Sequence, residues 1–474
     1  MPLADFQAND VGADRTHMPE LSTIHAGRFP EVQRSRLPNG LEIILARRSD
    51  APTVVVDLLF EAGYAEDGSK PGLASLTMSM LDEGTRSMSS LEINEQLQLL
   101  GASIGCAASL DHGFVRLKAL KQSLQKSMFL LGEILVHPSF PQNELDRLIR
   151  EQLAAIQREK VSPMPMALRV LPKLLYGPGH RYAQPLTGSG YTSTISQITR
   201  DDVLKYYSDW IRPNNAKLMI VGDVTMEEAK GLVESSLSEW VPGPTPERPA
   251  AVFVTHAVDT LYLLDRPDAQ QSIVIGGYLV DAYEESVAIA TEHMNDILGG
   301  QFISRINMNL REDKHWTYGA RSIILDTQGQ RPLLSFASVQ QDKTLESIIE
   351  IRREFQEFTQ ERPVTQAEFD KNQNNAILAL PGQWETNAAV ADSLMSLIKL
   401  GLPDDYFQTY PNRLRSLALP EVHEASRRFV RPDALCWLVV GDQEKIMPAL
   451  SQAGFSNIVH IDGEGNVIDI PSVT

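Results

Sequence analysis

Histidines are the first residues to ask about, because imidazole serves as metal ligand, general base and proton shuttle. The ten of them stand at positions 17, 25, 112, 137, 180, 256, 293, 315, 423 and 460, never closer than eight residues apart. Two ligands on one helix face must sit three or four positions apart. Neither His-Glu-x-x-His nor its inverse His-x-x-Glu-His can therefore be written in this chain. The two cysteines, Cys106 and Cys436, are 330 positions apart, which indicates neither a disulfide framework nor a thiolate metal site, and both read as small buried apolar residues. One stretch still has the outline of a functional helix: "GLASLTMSMLDEGT", residues 72 to 85. Leu73, Leu76 and Met80 give it a packing face, and Gly84 reads as its end.

The elements around that stretch come in two copies. "IRPNNAKLMIVGD" ends at Asp223 and "VRPDALCWLVVGD" at Asp442, an offset of 442 − 223 = 219. Before each lies an apolar set at helical spacing, Ile198, Val203 and Trp210 in one and Leu417, Val422 and Phe429 in the other. Asp50-Ala51 matches Asp268-Ala269 and Gly101-Ala102 matches Gly319-Ala320, both at offset 218. Internal repetition of this kind means two copies of one domain.

In the first copy, "NGLEIILARR" and "PTVVVDLLFEAG" read as strands. "SMSSLEINEQLQLLG" reads as a helix capped by serines and ended by Gly101, with Leu91, Leu97 and Leu100 along it. "ASIGCAASLD" and "GFVRLKAL" form a hairpin, and amphipathic helices follow near 122 to 136 and 142 to 160. The fold class is α+β, each domain a largely antiparallel sheet with helices on one face. Residues 1–26 read as an N-terminal extension, 27–240 as the first domain and 253–474 as the second. Between the domains, "VPGPTPERPAAV" at 241–252 has four prolines and no apolar period, and reads as the linker.

These segments together resemble the insulinase/pitrilysin family of inverzincin zinc peptidases. The carrying residues are "LPNGLEIIL", "APTVVVDLLFEAGYAED", "KPGLASLTMSMLDEGT", the loop "YGPGHRYAQPLTGS" at 176 to 189 and both Arg-Pro…Gly-Asp strands. Catalytic members read His-Phe-Leu-Glu-His-Met-Leu after Gly-Leu-Ala. Laid on this chain, the resemblance puts Ser75 and Ser79 where the two His ligands would be, Met78 where the catalytic Glu would be, and about Ala155 at the third ligand. No metal is then expected on this chain.

"LGGQFISRINMNLREDKHWTYGA", residues 298 to 320, is similar to the family's C-terminal segment, in register at Gly299-Gly300, Ser304-Arg305 and Gly319. By that resemblance Arg311 and Tyr318 bind the substrate backbone and the oxyanion, for which a guanidinium fork and a phenol are suitable donors. Without the family register, an Arg before Glu-Asp reads as a solvated ion-pair face and a Tyr opening a strand as half-buried packing. His315 reads as a surface residue.

Absent ligands with retained donors resemble the zinc-free subunit of two-chain family members. The implied partner is a homologous catalytic chain with an intact His-x-x-Glu-His motif and its own zinc, closing on this one as a clamshell around peptide substrates. The long glycine-rich loop of the mitochondrial processing peptidase's metal-free subunit is missing, so a bacterial-type pair is expected. The alternatives are a non-proteolytic scaffold like the core subunits of respiratory complexes, or a peptide-binding module.

With 43 Lys and Arg against 61 Asp and Glu, the net charge is −18, so nucleic acid is not an expected partner. The longest apolar runs fall far short of the ~20 residues that span a bilayer. No signal peptide is visible. A soluble protein of the bacterial cytoplasm or periplasm is expected.

Overall fold

The computed structural model describes residues 28–468 except 250–251, 256–258, 453–454 and 456. The expected extension at 1–26 lies outside the described residues, as do His17, His25 and His256.

Two six-stranded sheets organise the chain. The first joins β1 (Val32–Arg36), β2 (Glu42–Arg47), β3 (Thr53–Phe60), β4 (Ser103–Ala108), β5 (Gly113–Leu120) and β6 (Ala216–Gly222) in the order β1-β2-β6-β3-β5-β4. The second joins β7 (Leu261–Asp265), β8 (Gln271–Val280), β9 (Thr317–Ile324), β10 (Arg331–Gln340), β11 (Cys436–Gly441) and β12 (Ile458–Ile461) in the order β12-β7-β11-β8-β10-β9. Five strands of each, all but β1 and β12, correspond one to one. Ile44 lies opposite Met219 in the parallel pair β2/β6, and Leu263 opposite Val439 in its counterpart β7/β11. The other pairings are antiparallel, apart from β12 beside β7.

The copies differ at one outer position. β1 fills it from the start of the first sheet's segment and runs antiparallel to β2, whereas β12 fills it from the far end of the chain and runs parallel to β7. One sequence match is also not a structural equivalence. Gly101 ends a helix in the left-handed region at φ 60°, while Gly319 and Ala320 lie inside β9. The glycine in the first copy supplies a turn and the one in the second does not.

Helices α1 (Leu73–Ser79), α2 (Ser90–Leu100), α3 (Leu124–Val136), α4 (Gln142–Glu159) and α5 (Pro163–Tyr176) follow β3 and β5 as expected. Ser89 and Glu92 close α2 with a reciprocal capping box. On that helix Ile93 and Leu97 are buried, while Leu91 is turned outward at 68% exposure.

The helix layer expected on one face of each sheet is joined by cover on the other face. Along β3, Val54, Val56 and Leu58 face their own half's helices, while Val55 and Leu59 join the core of the C-terminal half. The helix Asn387–Lys399 lies on that second face, against β3 and β6, and brings Val390, Ala391 and Leu394. The reciprocal contact is made by α5, whose Val170, Leu171 and Leu175 lie on β8 and β11 against Ile275, Leu438 and Val440. Each half thus lends a helix to the other's sheet. This explains why "TVVVDLLF" is apolar throughout rather than at alternate positions, since both faces are covered.

Polar contacts cross the same seam. Asp57, fully buried on β3, receives a two-pronged bond from Arg116 (2.7 and 2.6 Å), which also reaches Asp392 on the lent helix at 2.7 Å. The proline-rich segment is pinned rather than free. Gly243 exchanges hydrogen bonds with Asn214, Arg248 pairs with Glu61 at 2.6 Å, and Arg181 donates to the Pro249 carbonyl.

Candidate functional site

Helix α1 begins at Gly72, whose φ of 99° is in the left-handed region and whose absent Cβ leaves room for Ile195. The carboxylate of Asp67, five residues earlier, accepts hydrogen bonds from the Gly72 and Ala74 amides at 2.6 and 2.7 Å, so it holds the helix start from outside. Burial pushes the Asp67 carboxyl up to about 8, against the pull of those amides. Leu73, Leu76 and Met80 are buried as the spacing requires. The helix stops sooner than expected, at Ser79, with Met80 as its cap. Gly84 lies beyond it, in an isolated bridge to Ser89, so it shapes the turn into α2.

Ser75 and Ser79 are half-buried on α1, and Ala155 is half-buried on the neighbouring α4. The loop expected at 176 to 189 is seated on α1: a Cβ on Gly188 would come within 2.7 Å of the Ser75 hydroxyl. Met78 is fully buried and points at Gly113, where a Cβ would stand 3.2 Å from its sulfur. Glu159, one turn after Ala155, is taken by Arg169 at 2.6 Å and by Ser189 at 2.8 Å. The positions that the family resemblance aligns with a zinc site hold two hydroxyls, a thioether and a methyl group. These do not fit zinc, and Met78 cannot act as a base. Among the described residues no three His, Cys, Asp or Glu side chains converge as a metal site would need. Sequence reasoning missed Asp67, because its partners lie five and seven residues ahead, beyond any local capping pattern.

The other two predicted residues lie in the C-terminal half. Arg311 is in a π-helical turn, Met308–Asp313, with its guanidinium 4.4 Å above the Phe302 ring and 3.5 Å from Glu312. Tyr318 is the second residue of β9 and is 90% exposed, not the half-buried packing residue that its type alone suggests. His315 between them is a surface residue, its Nδ1 3.0 Å from the Arg311 carbonyl. Among the described residues, neither Arg311 nor Tyr318 makes a hydrogen bond, ion pair or ring contact with α1 or α4. Phe302, Ile303 and Met308 are exposed in the segment around Arg311 at 59%, 45% and 42%, so the segment forms an apolar patch with a cation in it, the kind of surface that marks an interaction site.

The outer edges of β9 and β4 differ. On β9, the Ala320 amide donates to the Asn307 side chain at 3.0 Å and the Ser322 carbonyl accepts from Asn295 at 3.3 Å. Two amide side chains thus close that edge. On β4, which lies against α1, no hydrogen bond from outside the sheet reaches the backbone of Ser103–Ala108 among the described residues.

The sequence matches the profile described as insulinase (peptidase family M16) over residues 42–174, and that described as peptidase M16 inactive domain over 197–376. The chain belongs to the M16 insulinase family. It is 22% identical over 423 residues to the non-peptidase homolog YmxG of Helicobacter pylori, covering 88% of this chain and 94% of that one. It is also 22% identical over 385 residues to that organism's zinc protease PqqE, covering 78% and 84%. A 24% identity over 257 residues links it to human cytochrome b-c1 complex subunit 1, covering 52% of each. Among solved structures, a peptidase M16 inactive domain from Pseudomonas fluorescens superposes with a TM-score of 0.80 at 23% identity, covering 87% of this chain and 98% of that one. As an M16 member without catalytic residues on α1, it is an inactive member of the family. No helix of the described residues is long and apolar enough to cross a membrane.

Proposed function

We propose that this chain is the zinc-free subunit of a two-chain zinc endopeptidase. A homologous catalytic chain with its own His-x-x-Glu-His motif closes on it as a clamshell, and Arg311 and Tyr318 act in trans. They bind an extended peptide and stabilise the oxyanion formed at the partner's zinc. The observation that carries this is Tyr318: a phenol 90% exposed at the start of β9, the strand packed against the turn that carries Arg311. The open edge of β4 supports peptide binding as well, since an extended peptide can add to it as a strand.

The test is to mix the purified chain with its catalytic partner and follow peptide cleavage. Arg311→Ala is expected to lower kcat by about a hundredfold, the cost of losing one oxyanion donor, and Tyr318→Phe by a similar factor. A partner that cleaves as fast alone, or a mixture indifferent to both variants, refutes the reading. The likeness to cytochrome b-c1 complex subunit 1 favours a second reading, a non-proteolytic scaffold, which predicts that indifference.

A further inference from the structure

A cavity of about 600 Å³ opens in the C-terminal half, bounded by the helices Glu285–Asn295, Asn387–Lys399 and Tyr406–Ser416 and by the β9–β10 turn. Its walls carry the rings of Tyr283, Trp384, Tyr406, Phe407 and Tyr410. Three carboxylates also line it, and two are already matched: Asp326 by Arg331 at 3.5 Å and Asp392 by Arg116 at 2.7 Å. Glu292 has no cationic partner among the described residues and accepts only the Tyr410 hydroxyl at 3.1 Å. Asp296, one turn further on, is held by the amides of Gln301 and Asn372 and also lacks a cation. Burial and then Asp296 raise the Glu292 carboxyl. Glu292 is nevertheless exposed to the cavity, with no cation to match it among the described residues.

The remaining polar groups narrow the ligand class. Thr291, Ser393 and Ser396 spend their hydroxyl protons on helix carbonyls, at 2.8, 3.1 and 3.1 Å. On the same wall Asn295 donates to the Ser322 carbonyl and the Arg331 guanidinium is taken by the Asp281 carbonyl and Asp326 at 3.0 and 3.5 Å, which leaves the Gln383 amide as the donor an anion would meet. Two rings already hold cations, Tyr283 under Arg331 at 5.6 Å and Tyr406 under Arg413 at 5.0 Å. No cation lies over Trp384, Phe407 or Tyr410 among the described residues. Aromatic faces beside an unmatched carboxylate suit a cation with a carbon skeleton.

We propose that this cavity binds an organic cation, a guanidinium or alkylammonium group, with Glu292 as counter-ion and Phe407 and Tyr410 against its carbon chain. The site stands apart from Arg311 and Tyr318 and does not depend on proteolysis.

Calorimetric titration of the full chain with N-acetyl-arginine amide, against the neutral isostere N-acetyl-citrulline amide, tests it. The arginine compound is expected to bind saturably at one site and at least tenfold tighter than the citrulline one. Glu292→Gln is expected to remove that preference with the unfolding midpoint kept, and Ser393→Trp, which fills the cavity, to remove binding itself. A blocked peptide with an internal arginine tells the source: tighter binding than the amide assigns the cation to a peptide side chain, and equal binding to a free small molecule. No saturable binding, equal affinity for the two amides, or a preference that survives Glu292→Gln overturns the proposal.

Discussion

Met78, which the family resemblance sets at the catalytic-carboxylate position, has its side chain fully buried against Gly113. The position has been absorbed into the core, so chemistry cannot be restored there by changing a single residue. Met78→Leu, a swap of similar volume, is expected to cost under about 1.5 kcal/mol. Met78→Glu is expected to cost on the order of 3 kcal/mol or more, because a carboxyl there has no partner. Urea unfolding of the two variants checks the contrast, and equal midpoints would mean that residue 78 is not core. At this scale the sequence was legible in part. It gave the residue types at 75, 78, 79, 311 and 318, but the exposure that separates Tyr318 from an ordinary strand tyrosine depends on which neighbours leave it uncovered.

Among the elements, α1 was legible as a helix from Leu73, Leu76 and Met80, and its length was not, because it is started by Asp67 and stopped well before Gly84. That cap has a pH signature. An unfolded chain releases the Asp67 proton near pH ~4, while the folded chain keeps it until about 8. Between those values the native state binds more protons. The stability contributed by this group is thus complete below pH ~4 and declines as pH rises toward 8. Asp67→Asn has no such proton, so the unfolding free energy of the native chain relative to the variant is expected to fall over that interval. Denaturation at several pH values measures it, and a constant difference would show that Asp67 is ionised throughout.

Across the whole molecule, the seam joins the two halves more closely than two tandem domains require. Expressed alone, residues 1–240 would leave Val55, Leu59, Met219 and Val221 without the helix Asn387–Lys399. That fragment is expected to aggregate, and to co-purify as a soluble complex with 241–474 when both are made together. A monomeric, cooperatively unfolding 1–240 would show that the exchanged helices are dispensable. Within the seam, Arg116→Met leaves Asp57 buried without its cation and is expected to cost about 3–5 kcal/mol. The loss should shrink in the double variant that also carries Asp57→Leu.

By itself the sequence determined the duplication, the strand and helix types, the family and the residue types on α1, because these depend on residue identity and local period. Ile198, Val203 and Trp210 and their counterparts Leu417, Val422 and Phe429 are all buried as their spacing required. The tertiary structure alone decided that each half covers the other's sheet, that the β9 edge is closed and the β4 edge open, and that Glu292 faces a cavity of aromatic rings. Those features join residues up to hundreds of positions apart, and no local period records which side chains will meet.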